Sequence, residues 1–212
     1  MASAIPTIAN EHLSGIQRDG PRLILASASP RRQDILRALG VSFELRPAGI
    51  DETRGAGESP EAMVRRLAAA KALAVGDDGI VLAADTAVVL DDEVFGKPTG
   101  EAEALAMLGR LSGRRHRVYT AVALRKDGRV TGALSRTEVS FRELAPGEAE
   151  RYWATGEPAG KAGAYAIQGY GGLFVATIMG SYSGVVGLPV FETAGLLLDA
   201  GIDLLPPAKS PA

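Results

Sequence analysis

The chain has no cysteine. Disulfides and thiolate-bound metals are thereby excluded, and a reducing cytoplasm suits the composition. Histidine occurs only as His12 and His116, with no partner at metal-ligand spacing, so neither is assigned to a metal. An excess of one charge is lacking too. The chain carries 23 basic and 25 acidic residues, a net charge of −2. That balance argues against non-specific nucleic-acid binding, which needs a basic surplus, but it leaves room for a local basic pocket. No apolar run approaches membrane-spanning length, so no membrane partner is expected. The first twenty residues contain Glu11 and Asp19 and no signal-peptide apolar segment, which sets the expectation of a cytoplasmic protein. The pattern Gly-x-x-x-x-Gly-Lys-Ser/Thr is absent, and so is a dinucleotide-binding glycine fingerprint. No Ser–His–Asp arrangement stands out, because His116 has no evident partner.

What remains is ample for a folded core. The 212 residues divide into a loose extension over residues 1–20, one domain over 21–204 and a loose tail over 205–212, which holds Pro206, Pro207 and Pro211. Strands are predicted over 22–27, 41–50, 79–90, 94–95, 117–124, 129–141 and 173–178. Helices are predicted from Pro30, Pro60, Glu101, Pro146 and Pro189, and residues 180–184 read as a turn. Lys126-Asp127-Gly128 is a hairpin signal. Elements mix without strict alternation. The expected class is therefore α/β, with a mixed sheet and flanking helices rather than a regular doubly wound one.

Two local conflicts point to chemistry. Ala26-Ser27-Ala28-Ser29-Pro30-Arg31-Arg32 follows an apolar strand and opens a helix, with Ser29 as N-cap and Pro30 at the first helical position. Arg31 and Arg32 then stand in the first turn, where a cation is disfavoured by roughly 0.3–1 kcal/mol. An anion would resolve that conflict, and a hydroxyl, free N–H groups and two guanidinium forks would suit a polyphosphate. Two solvated arginines fit the same spacing. The second conflict is Asp85, which shares a strand face with Val81, Ala83, Ala87 and Val89. A carboxylate there needs a partner, a hydrogen bond or a metal; a strand-end Asp capping a backbone N–H is the alternative.

Weaker candidates surround these two. Glu52 ends an extended segment and, with Asp85, would make a two-carboxylate Mg²⁺ site; an exposed turn acid is the ordinary reading. Lys71 lies on the apolar face of its helix, either directed at phosphate or snorkelling at the rim. Lys97 stands in the 96–100 loop, where most lysines are solvated. Gln168 sits in a glycine-rich stretch that could let backbone approach a ligand, or could simply satisfy loop carbonyls.

Taken together, these residues resemble the Maf family of nucleoside triphosphate pyrophosphatases. The likeness runs from Leu23 to about Leu198. It is carried by 25–32, Ile50-Asp51-Glu52, Ala84-Asp85-Thr86, Gly96-Lys97-Pro98, Leu111-Ser112-Gly113, Tyr119-Thr120, 163–169 and Val186-Gly187-Leu188-Pro189. The resemblance implies an elongated mixed-sheet α/β fold, related to that of inosine triphosphatases, with two lobes around a central cleft and often a homodimer. It implies hydrolysis of a nucleoside triphosphate to monophosphate and pyrophosphate with a divalent cation (Mg²⁺, Mn²⁺ or Co²⁺). Asp85 matches the family's proposed general base, and with Glu52 its metal site. Ser29, Arg32, Lys71 and Lys97 match its phosphate-binding residues. Arg31, Thr86 and Gln168 match its specificity positions, and their Pro-Arg-Arg, Asp-Thr and Ile-Gln-Gly contexts resemble the dTTP/UTP branch, with modified pyrimidine nucleotides a further substrate class. Departures are the N-terminal extension and Ala166, where glycine is frequent. Two other readings stay open: a nucleotide-binding regulator of cell division without turnover, and a purine pyrophosphatase acting on nucleotides such as ITP or XTP.

Overall fold

The computed structural model describes residues 21–76 and 78–205. The expected extension (residues 1–20, with His12) and residues 206–212 of the expected tail lie outside the described residues. Seven strands form one mixed sheet: β1 (Leu23–Leu25), β2 (Glu44–Leu45), β3 (Ile80–Leu90), β4 (Glu93–Phe95), β5 (Arg115–Lys126), β6 (Arg129–Phe141) and β7 (Val175–Met179). Their order is β2-β1-β3-β5-β6-β7, with β4 paired to β3 off this path. The β2-β1-β3 pairs are parallel and the rest antiparallel. The helices are α1 (Pro30–Ala38), α2 (Pro60–Ala74), α3 (Glu101–Leu111), α4 (Glu148–Trp153), α5 (Tyr182–Val186) and α6 (Val190–Asp199).

The expected elements are largely found, with three differences. The 41–50 segment pairs over only two residues, because it leaves the edge of the sheet directly after β2. The predicted turn at 180–184 becomes the start of α5, capped by the Ser181 hydroxyl accepting from Gly184 N. Ser59 caps α2 as expected, but the Ser29 hydroxyl makes no capping bond to α1. The Asp127-Gly128 hairpin forms with both residues at positive φ.

Strand alternation divides the core. On β3, Val81, Ala83, Ala87 and Val89 pack under α2 with its Met63, Val64, Leu67 and Ala68. Burying Val64 and Leu67 contributes about 1.5–3 kcal/mol each. The opposite face of β3 splits: Leu82 and Ala84 pack with Leu36 of α1 and Leu196 and Leu197 of α6, while Val88 and Leu90 pack with α3 and Phe141.

One edge of β3 is paired with β5 from Val81 to Val89. The other edge is shared. β1 takes residues 80–82 and β4 takes 88–90, leaving 83–87 without a strand partner on that side. β1 and β4 run toward this gap from opposite ends. The chain leaving Leu25 enters the serine-rich turn and α1, and the chain leaving Phe95 enters the Gly96-Lys97 loop. Backbone topology thus delivers both segments to the flank of Asp85. Crevices beyond the carboxyl ends of strands are where α/β sheets bind ligands.

His116 is enclosed by Phe141 and Tyr165, and its Nε2 lies 2.9 Å from the Tyr165 hydroxyl. Burial pushes its pKa from 6.5 down to about 4. Stability from the neutral ring is complete above pH 6.5 and is lost as pH falls toward 4, about 3 kcal/mol in all. Urea unfolding of wild type and His116→Phe should therefore show the wild type losing about that much more than the variant between pH 7 and 4. Parallel curves would show that the ring does not titrate this way.

Candidate functional site

A cleft of about 930 Å³ occupies the gap beside β3. Ser29, Arg31, Arg32, Glu52, Lys71, Asp85, Thr86, Lys97 and Gln168 all line it. The structure therefore brings every sequence-predicted site residue to one place.

Its centre is a buried lysine. One turn after Leu67, Lys71 projects from the same face of α2 and meets Asp85 on β3. The ammonium lies 2.6 Å from Asp85 Oδ1 and 2.6 Å from Glu52 Oε1. Lys71 is 7% exposed, so the snorkelling alternative is set aside. Burial, the largest influence, pushes the Asp85 carboxyl above the ordinary aspartate range, against the pull of Lys71 and Arg32. Glu52 is more open. Its partial burial pushes upward, but the Lys71 hydrogen bond and the charges of Lys71, Lys97 and Arg32 together hold it below the usual range. Two carboxylates on one ammonium thus differ in basicity because they differ in burial.

Arg32 is anchored by neutral acceptors. Nε donates to Gly187 O at 2.8 Å, Nη1 to Ser27 Oγ at 3.0 Å and Nη2 to Thr86 Oγ1 at 3.3 Å. A guanidinium has five N–H donors. These contacts engage three and leave one free on each Nη, a fork suited to an anion's paired oxygens. Gly187 can present its carbonyl because its φ of 126° is open to glycine. Thr86 belongs to the anchor as well. Its hydroxyl accepts from Arg32 Nη2 and lies 3.0 Å from the Thr120 hydroxyl, which in turn lies 2.7 Å from Gly184 O.

The charges of the cleft do not cancel. Glu93 pairs with Arg110. Glu157 accepts from Tyr152 Oη and from two backbone N–H groups. Lys71 answers Asp85 and Glu52. Among the described residues, Arg31, Arg32 and Lys97 have no carboxylate partner, although the chain as a whole is slightly acidic. Desolvation lowers the pKa of both Arg31 and Arg32, against the opposing pull of Asp85 and Glu52 on Arg32. Ser29 is half-buried just before α1, and its hydroxyl has no hydrogen-bond partner among the described residues. Ser27, Tyr152, Glu157 and Lys161 were not legible in the sequence. Ser27 alternates with Ser29 in the same motif, which is a usable signal; Glu157 and Lys161 gave none.

A divalent cation fits the donor set. Glu52 and Asp85 are held side by side on the Lys71 ammonium through one oxygen each, and each carboxylate has a second oxygen besides the one that meets it; no group of three or more His, Cys, Asp or Glu side chains with metal-site geometry occurs among the described residues. Two carboxylates, with the rest of the shell left to water and phosphate, is the arrangement Mg²⁺ prefers over a protein cage.

The chain is an α/β protein whose mixed sheet is interrupted along one strand edge by a cleft lined with cations and a carboxylate pair. The family model described as Maf-like protein matches residues 22–200, and the chain belongs to that family. Curated relatives agree. A dTTP/UTP pyrophosphatase of Methylococcus capsulatus (strain Bath) is 51% identical over 191 residues, covering 88% of this chain and 95% of that protein. Another from Anaeromyxobacter dehalogenans (strain 2CP-1) is 53% identical over 188 residues, covering 87% and 96%. A third from Alkalilimnicola ehrlichii is 50% identical over 192 residues, covering 86% and 95%. Among the described residues no helix is long and apolar enough to cross a membrane.

Proposed function

We propose that this chain hydrolyses dTTP and UTP to the nucleoside monophosphate and pyrophosphate in the cytoplasm. The observation that carries the reading is the Lys71-bridged Asp85–Glu52 pair facing the anchored Arg32 fork within one cleft. Relatives of about 50% identity that bear the same activity in their names support it.

In this reading Asp85 accepts the proton of the attacking water, a task suited to a carboxyl whose basicity burial has raised. Asp85 and Glu52 would hold a divalent cation (Mg²⁺, Mn²⁺ or Co²⁺), whose chemistry is to offset phosphate charge at the attacked phosphorus. Lys71 keeps the two carboxylates side by side. Arg32 and Lys97 stabilise charge building on the departing pyrophosphate, and Ser29 donates to a phosphate oxygen. Thr86 acts through Arg32, which it orients.

Base choice falls to Arg31 and Gln168. The imide edge of uracil or thymine reads carbonyl, N–H, carbonyl. The Gln168 amide accepts from that N–H and donates to a carbonyl. Arg31 only donates, so it favours a carbonyl over the amino group of cytosine. The test is pyrophosphate release from a panel of UTP, dTTP, CTP, GTP and ITP with Mg²⁺, Mn²⁺ or Co²⁺. The expected result is UTP and dTTP highest in kcat/KM, with CTP at least about tenfold lower. Preference for ITP would select the purine reading, and binding without pyrophosphate release the regulator.

A further inference from the structure

We infer that Glu157, with Tyr152, is a positioning residue for base selection: it pins both ends of the loop that presents Gln168. The inference rests on the pyrimidine reading above. Tyr152 Oη accepts from Ala166 N at 3.0 Å and donates to Glu157 Oε1 at 2.6 Å. Glu157 Oε1 also accepts from Gly171 N, and Oε2 from Tyr170 N, each at 2.9 Å. Residues 166–171 are therefore tied at both ends to one Tyr–Glu pair. Gln168 stands between the ties, exposed, lining the cleft and making no hydrogen bond of its own among the described residues.

The contact is close: a side chain at Gly169 would displace the carboxylate, and one at Gly171 would also meet the backbone of Ala166, 2.7 Å from its carbonyl oxygen. A Cβ on Gly169 would stand 2.0 Å from Glu157 Oε2, and a Cβ on Gly171 2.6 Å from Tyr152 Oη. The carboxylate is seated directly on the backbone beside Gln168. Burial tends to raise its pKa, but the Tyr152 hydroxyl and the two backbone N–H groups outweigh that and hold the group ionised at neutral pH. Glu157 touches neither Lys71 nor Asp85. Its loss should loosen the reader of the base while leaving the hydrolytic end in place.

Glu157→Gln sets an amide N–H₂ against at least one backbone N–H donor. Tyr152→Phe removes the hydroxyl but keeps the ring against Phe174, 5.1 Å between centroids. Steady-state kinetics on UTP and CTP, beside thermal unfolding, test the inference. The expected result for both folded variants is a UTP/CTP ratio of kcat/KM reduced about tenfold, through KM for UTP rather than kcat. A purely structural role would lower both substrates equally, and an unchanged ratio in either folded variant overturns the inference. If Glu157→Gln does not fold, Tyr152→Phe alone decides. A wild type with no UTP preference would instead sink the pyrimidine reading.

Discussion

Asp85→Asn is expected to lower kcat for UTP at least about a thousandfold while nucleotide affinity stays within about threefold. The substitution is nearly isosteric. An amide oxygen can still accept from Lys71 where Asp85 Oδ1 does, 2.6 Å away, and Glu52 still pairs the ammonium. The buried lysine is not orphaned, which is the event that costs about 3–5 kcal/mol when one half of a buried pair is removed. The fold should survive. What disappears is the proton acceptor and half the negative charge available to a cation. The same reasoning fixes a pH dependence. Burial raises the Asp85 pKa, so the acid limb of kcat/KM should fall at a pH above the ordinary aspartate value of 3.8 and be absent from the residual activity of the variant. Single-turnover hydrolysis with parallel calorimetric titration of nucleotide checks both points. Turnover at the wild-type rate would remove Asp85 from the chemistry.

Arg32→Ala should reduce kcat/KM about a hundredfold or more, and Arg32→Lys should recover little of it. The reason is geometric. Arg32 reaches Gly187 O, Ser27 Oγ and Thr86 Oγ1 with three different nitrogens and keeps one N–H on each Nη for the ligand. An ammonium carries the charge but has a single nitrogen, so it cannot span three acceptors and present a fork as well. Thr86→Val, which breaks the anchor without touching the charge, should show a smaller loss in the same direction. Steady-state kinetics on the three variants is sufficient. Arg32→Lys within threefold of wild type would show that charge alone is used.

The uneven legibility of the site has physical causes. Arg31 and Arg32 were visible because they oppose the positive end of their own helix, a conflict contained within a few residues. Asp85 was visible because it interrupts a continuous apolar strand. Lys71 was half visible: helical spacing put it on the buried face, but whether it reached solvent or a carboxylate depended on what lay across α2. Thr86 resembled a specificity position, and the hydrogen-bond chain through Thr120 to Gly184 makes it a support for Arg32. Glu157 was invisible. It follows a short helix with no pattern around it, and its meaning lies in contacts with backbone of the 169–171 turn.

Taken alone, the sequence determined the elements: caps, periodicity and turn residues are local, and they set α2, β3 and the β5–β6 hairpin within a residue or two. It also determined the chemical types available, since cysteine is missing and the acids and bases that matter interrupt apolar patterns. Tertiary structure decided what those groups meet. The division of one β3 edge between β1 and β4 opens the gap, and strands arriving from opposite ends bring Arg32 and Lys97 to the same acid. Pairing register and long-range packing arise from contacts between residues distant along the chain, and no local pattern encodes them.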